Sequence, residues 1–325
     1  MPWPLQRGAA APLSEELLLS MTAALAASWC NRSIGTFMSP PFKWTWDTSH
    51  TVQYVYSLAW HEVVPHLVHA MRLARDAHPG QTGFDILDGD VYAFGVAQAG
   101  TLPLLRLAFP GAQMFGFDSF RGLPLEDHAA SAERGWGEGK FQPRISPSAL
   151  TARSSVQGGR TTLIQGFFNE SLTTTLVHKH AMRAALFVDI DCDLHSSTFS
   201  ALEWMLSNEL LRVGSLVAYD DFWTIPCHRF HVNRRTVSPL EVGEGLAHQE
   251  LTVRHGVIFR CVAGPCKVPP SAAECHVNQN WAPVFMVVGF ARGGVTGLSF
   301  SQEAQVQWMQ TSRVCRRVGA ALGRK

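Results

Sequence analysis

The residues from Val188 to Thr198 read VDIDCDLHSST, and the chain later carries the doublet Asp220-Asp221 inside SLVAYDDFW. Each acidic group follows a short apolar run, Ala184 to Val188 and Leu216 to Tyr219, of the kind that forms a strand buried in a parallel sheet. Carboxylates at the ends of such strands lie where open α/β sheets bind ligands, and their oxygens suit a hard cation such as Mg²⁺. Any one of these Asp residues, read alone, is an ordinary helix cap or turn residue. Two clusters brought together would repel unless something positive sat among them, so the spacing points to a metal site on Asp191, Asp220 and Asp221. His195, four residues after Asp191, has the pKa range of a general base, although a His at a helix start also caps or faces solvent.

A second group lies upstream. Asp90 to Ala99 is an apolar strand that runs into a turn, GVAQAG, with glycines at 95 and 100. Such a turn lets the backbone approach a ligand and aims helix N–H groups at it. Asp118 closes the next apolar run and can accept hydrogen bonds from both hydroxyls of an adenosine ribose. The dinucleotide fingerprint G-x-G-x-x-G is incomplete, because Ala97 stands at its second glycine, and acids at the later strands have no use in a nicotinamide enzyme. S-adenosylmethionine is the better match.

These residues must be carried by a frame, and the chain alternates strand and helix patterns from residue 90 onward. Strands are expected from 90 up to the glycine turn, at 112–117 ending at Asp118, and at 161–165, 184–188 and 216–219, with 256–262 and 283–288 as an antiparallel pair at one sheet edge. Glu203 to Leu211 is the helical crossover between the two acid-ended strands. The expected fold is α/β, a Rossmann-like, mostly parallel seven-stranded sheet with helices on both faces. Helical patterns at 15–29 and 52–78 form an N-terminal extension over residues 1–80, the sheet domain spans 81–292, and 293–325 is a tail. Arg121 to Arg160 is rich in Gly, Pro, Ser and charge, as befits a segment covering a substrate.

Composition narrows the class. In 325 residues, 46% are hydrophobic and 16% charged, which supplies a core, and 27 basic against 26 acidic side chains leave no field to recruit nucleic acid or anionic lipid. Seven scattered cysteines do not make a disulfide framework, so a reducing compartment and packing cysteines are expected, with Cys227 and the Cys261, Cys266, Cys275 group lacking the paired short loops of zinc sites. No apolar run reaches the length of a membrane span. A cytoplasmic address follows, although residues 1–12 are acid-free and contain Arg7, as in an organellar transit segment. The apolar helical N-terminus offers a face for a second subunit.

Five ordered blocks carry a resemblance. FDSFRGLP (117–124), Trp136-x-x-Gly139-x-Phe141, GFFNESL (166–172), IDCDLHSST (190–198) and YDDF (219–222) resemble the macrocin O-methyltransferase, or TylF-type, family of class I, S-adenosylmethionine- and Mg²⁺-dependent sugar O-methyltransferases. The resemblance implies Asp191, Asp220 and Asp221 as metal ligands, with Asp191 also near the methionine end of the cofactor. It implies Gly95, Val96 and Gly100 along the methionine and ribose, Asp118 on the ribose with Ser119 beside it, and Gly166 and Phe167 near the adenine. Two positions depart from the family pattern: Ala93 where Glu is usual, and His195 where Tyr is usual. The function expected is O-methylation of a small-molecule hydroxyl. Its rivals are a binding protein that has lost catalysis with Ala93, a nicotinamide-dependent oxidoreductase and a metal-dependent hydrolase. Trp44, Trp46, Tyr54, Tyr56, Trp136 and Trp223 are aromatic candidates for stacking on an acceptor.

Overall fold

The computed structural model describes residues 13–14, 58–78, 85–126, 135–150, 160–233, 238–263, 275 and 283–291. The helix expected at 15–29, the C-terminal tail and the aromatics at 44, 46, 54 and 56 lie outside the described residues.

Apolar runs build the sheet. Strands β1 (Asp90–Phe94), β2 (Met114–Asp118), β3 (Thr161–Gln165), β4 (Ala185–Ile190), β5 (Leu216–Tyr219), β6 (Val257–Ala263) and β7 (Val284–Phe290) form one seven-stranded sheet in the order β3-β2-β1-β4-β5-β7-β6. The first five strands are parallel, while β7 runs antiparallel to both β5 and β6. Every residue of β1, β4 and β5 is buried, as expected of strands covered on both faces. Chain order reverses between β1 and β4, the switch point at which such sheets open a crevice at their C-terminal ends.

Helices flank the sheet: α1 (Leu58–Ala77), α2 (Leu102–Ala108), α3 (Phe168–Ser171), α4 (Thr174–Lys179), α5 (His195–Ser207), α6 (Thr224–Asn233) and α7 (Gly243–His255). One core lies under α1 and α2, with Val64, Leu67, Met71, Leu102 and Leu105 against Val91, Phe187 and Leu216. The other lies under α5 and α7, where Phe94, Phe117, Trp204, Tyr219, Phe222 and Phe285 meet. Alternating strand residues feed the two cores, so the sheet sits between layers. Helix α2 is pinned by Arg106, which donates to the carbonyls of Ala112 at 2.7 Å and Arg160 at 3.0 Å and so ties it to the starts of β2 and β3.

The cysteine expectation is corrected. Cys227 on α6 forms a disulfide with Cys275, 48 residues away, and Cys261 is disulfide-bonded as well; Cys192 is a free, buried thiol. Such bonds persist in oxidising surroundings, so the cytoplasmic expectation loses the cysteine argument it rested on. No helix among the described residues is long and apolar enough to cross a membrane.

Candidate active site

The strand ends are stitched into one row. The Gly166 N–H donates to the Asp118 carbonyl at 3.0 Å, Gly95 to Phe117 at 3.0 Å, Asp191 to Phe94 at 2.9 Å and Asp220 to Ile190 at 2.9 Å. Backbone pairing thus continues one residue past the ends of β3, β1, β4 and β5, with β2 supplying carbonyl acceptors between β3 and β1. The glycines and acids singled out in the sequence emerge side by side along the C-terminal edge.

At one end of the row the polar groups are satisfied. Asp118 Oδ2 accepts the Val96 N–H at 2.9 Å and the Ala97 N–H at 2.7 Å, and Oδ1 accepts the Phe120 N–H at 2.5 Å. Three backbone donors leave this carboxylate about one acceptor direction for a ribose. Its first task is to shape the turn. Gly95 has φ +89, and a Cβ there would fall 1.6 Å from the Asp191 carbonyl oxygen, so only glycine lets the turn lie against β4. Ala97 and Ala99 also have positive φ, 42 and 60, where glycine would cost less. Gly100 faces open space. Ser119 locks the next turn, its hydroxyl donating to the Gly122 carbonyl at 2.8 Å and accepting the Arg121 N–H at 2.9 Å. The Arg121 guanidinium lies 4.3 Å from the centre of the Phe167 ring beside Gly166.

At the other end the charges are alike. Asp191, Asp220 and Asp221 each offer an oxygen such that all three atoms lie within 4.8 Å of one another. Burial raises the Asp191 pKa well above the usual carboxylate range, and Asp220, Asp193, Asp189 and Asp221 raise it further. Two acids that the sequence reading passed over complete the group. Asp189 is 2% exposed on β4 and is raised by burial and by Asp220. It is the register partner of Ala93, so a carboxylate missing from β1 is present on the neighbouring strand. Glu244, on the first turn of α7, is 1% exposed; its Oε2 accepts the Asp221 N–H at 2.9 Å. It was missed because GEGLAHQE reads as a solvated helix start.

His195 opens α5 with its Nε2 2.9 Å from Oε2 of Glu250 on α7, and its ring packs beside Phe199. Asp193 takes the position nearer the acids. It has φ 62 and acts electrostatically on both Asp191 and Glu244.

A small apolar roof adjoins these acids. Leu123 and Trp136, from the segment after β2, join Leu194, Ile225 and Val242 in one cluster. The segment is held by the Leu123 N–H on the Lys140 carbonyl at 2.8 Å and by the Gly139 N–H on the Leu123 carbonyl at 3.0 Å. Helix α5 has no cap from its own N-cap residue Leu194; instead Glu126 Oε2 accepts the Ser196 N–H at 3.1 Å. Trp223 lies in the core at 1% exposure and is not a stacking surface.

The profile of the macrocin-O-methyltransferase (TylF) family matches residues 81–242. No curated protein matches the chain. Among solved structures, the O-methyltransferase NovP matches at 16% identity and a TM-score of 0.40, covering 62% of this chain and 72% of its own. CalS11, a calicheamicin methyltransferase, matches at 18% identity and a TM-score of 0.41, covering 88% of this chain and 98% of its own.

Proposed function

The chain belongs to the macrocin-O-methyltransferase (TylF) family and is an S-adenosylmethionine-dependent O-methyltransferase; from that premise we propose that it methylates a hydroxyl of a sugar-like small molecule in a Mg²⁺-dependent reaction. The observation that carries this reading is the row of strand ends, which sets a glycine turn against three clustered carboxylates. The carboxylates fit a hard divalent cation by donor type and spacing, and the buried Glu244 Oε1, which has no hydrogen-bond partner among the described residues, is a further acceptor beside them.

Gly166 and Phe167 would hold the adenine, Asp118 and Ser119 the ribose, and Gly95, Val96, Gly100 and Asp191 the methionine of the cofactor, which would supply the methyl group. Asp191, Asp220 and Asp221 would hold Mg²⁺, whose chemistry there would be to lower the cost of an acceptor alkoxide. The residues do the remaining work. The turn amides and Asp118 fix the donor end, and the Leu123 and Trp136 roof keeps water off the acceptor. Asp193, which acts electrostatically on Asp191 and Glu244, would take the hydroxyl proton, with His195, its Nε2 oriented by Glu250, as the second candidate base.

The test is a transfer assay with S-adenosylmethionine and a panel of sugar-bearing natural products, with Mg²⁺ and with a chelator. One added methyl on a hydroxyl, lost on chelation, is the expected product. Asp193→Asn should cost kcat more than His195→Ala does. Methyl transfer that is unchanged by chelation would remove the cation from the reading.

A further inference from the structure

Glu244 is placed by a backbone made for close approach. It stands between two glycines. A Cβ at Gly245 would fall 2.0 Å from the Pro239 carbonyl oxygen, and Gly243 has φ +54 with Ile225 3.2 Å from where its Cβ would be. Larger residues at either position would push the first turn of α7 off the Pro239–Glu241 turn and off α6. The carboxylate so delivered is 1% exposed. One oxygen, Oε2, accepts the Asp221 N–H at 2.9 Å, while the other, Oε1, is buried and has no hydrogen-bond partner among the described residues. Buried polar atoms are nearly always partnered, and an unpartnered carboxylate oxygen is among the costliest exceptions. The groups that act on it most strongly are further acids, Asp221, Asp220 and Asp193, none of which is a donor when ionised.

Position and deficit fit one role. We propose that Glu244 is a positioning residue of the cation centre, resting on the metal site proposed above: Oε2 fixes the Asp221 backbone so that its carboxylate turns toward Asp191 and Asp220, and Oε1 accepts a hydrogen bond from the hydration shell of the bound cation. Mg²⁺ keeps several waters when protein carboxylates bind it, and each water needs acceptors that the three ligand residues do not all provide. A fourth carboxylate behind them supplies one, and favours a small, strongly hydrated cation over a larger one that sheds its water. Loss of such an outer partner ordinarily weakens metal affinity by about 10- to 100-fold.

The full-length protein can be titrated with Mn²⁺, read by the loss of the free-ion electron paramagnetic resonance signal, as wild type, as Glu244→Gln and as Asp220→Asn/Asp221→Asn. Glu244→Gln keeps the size and an oxygen acceptor for the Asp221 N–H, but loses the charge and one oxygen. The expected result is at least about a tenfold weaker Mn²⁺ affinity in Glu244→Gln, with S-adenosylhomocysteine affinity within about twofold of wild type and a metal-free melting temperature no lower. Wild-type Mn²⁺ affinity in Glu244→Gln would overturn the proposal and leave Glu244 a backbone cap. A wild-type protein that takes up no Mn²⁺ would overturn it by another route, by removing the metal centre itself.

Discussion

The two halves of the strand-end row are built on opposite principles. Around Asp118 every oxygen has a backbone donor, and Ser119 and Arg121 extend the same economy to Phe167. Around Asp191 the carboxylates cluster, the proton affinities of Asp189, Asp191 and Glu244 are raised, and one buried oxygen of Glu244 has no hydrogen-bond partner among the described residues. A satisfied network is rigid and ready in the absence of ligand; a frustrated one is stable only with something positive in it. The difference teaches that the Asp118 end is shaped by the protein alone, while the acid end is the one that the proposed cation would complete. The two are joined at Gly95.

The largest way to break the comparison is therefore at that joint. Gly95→Ala puts a Cβ into the Asp191 carbonyl, displaces the turn from β4, and should lower stability by about 3 kcal/mol or more, seen as a fall in thermal midpoint together with loss of S-adenosylhomocysteine binding. The next effect lies beneath the acid half, on α7, where His248 Nδ1 meets the Tyr219 hydroxyl at 2.7 Å and Nε2 is unpartnered. Burial pushes this imidazole down to about 3. The unfolded chain takes up the proton that the folded one refuses once pH falls below about 6.5, so the contribution of this imidazole should drop by about 2 kcal/mol between pH 6.5 and pH 5, against the opposite trend of the buried Asp189, Asp191 and Glu244. Denaturant melts of wild type and His248→Gln at several pH values check this, the wild type losing about 2 kcal/mol relative to the variant over that range.

Glu126→Ala tests the roof over the acid half. It removes the acceptor at the start of α5, should cost about 1 kcal/mol, and should speed amide exchange in residues 122–126 and 135–140 while leaving cofactor affinity alone. The smallest change sharpens the cofactor half. Ala97→Gly relieves a left-handed alanine and should stabilise by about 0.5 kcal/mol, net of glycine's greater freedom when unfolded, with a thermal midpoint shift of a degree or two as the readout.

Much of the frame was legible because it rests on local pattern. Apolar runs of four to seven residues located all seven strands, and the edge pair formed by β6 and β7 followed from β-rich runs late in the chain. The acids at 191, 220 and 221 were legible for the same reason, since each follows such a run. What escaped depended on distant approach. Glu244 lies in a glycine-flanked polar stretch whose burial comes only from α7 packing beside the Asp221 turn. Asp189 was hidden inside a strand, where alternation alone does not reveal that its neighbours are Ala93 and Ala218. The Cys227 to Cys275 bond spans 48 residues, beyond any spacing rule. Asp118 was found, but its work on the Val96 and Ala97 amides was not, because the backbone course of the turn had first to be seen.

The contrast between the halves is tested most directly by calorimetric titration of S-adenosylhomocysteine and, separately, of Mg²⁺ into the wild-type protein and the Asp220→Asn/Asp221→Asn variant. Unchanged S-adenosylhomocysteine affinity, together with Mg²⁺ binding that the wild type shows and the variant lacks, is the predicted result. Mg²⁺ binding that survives in the variant, or cofactor binding that disappears with the two acids, would contradict it.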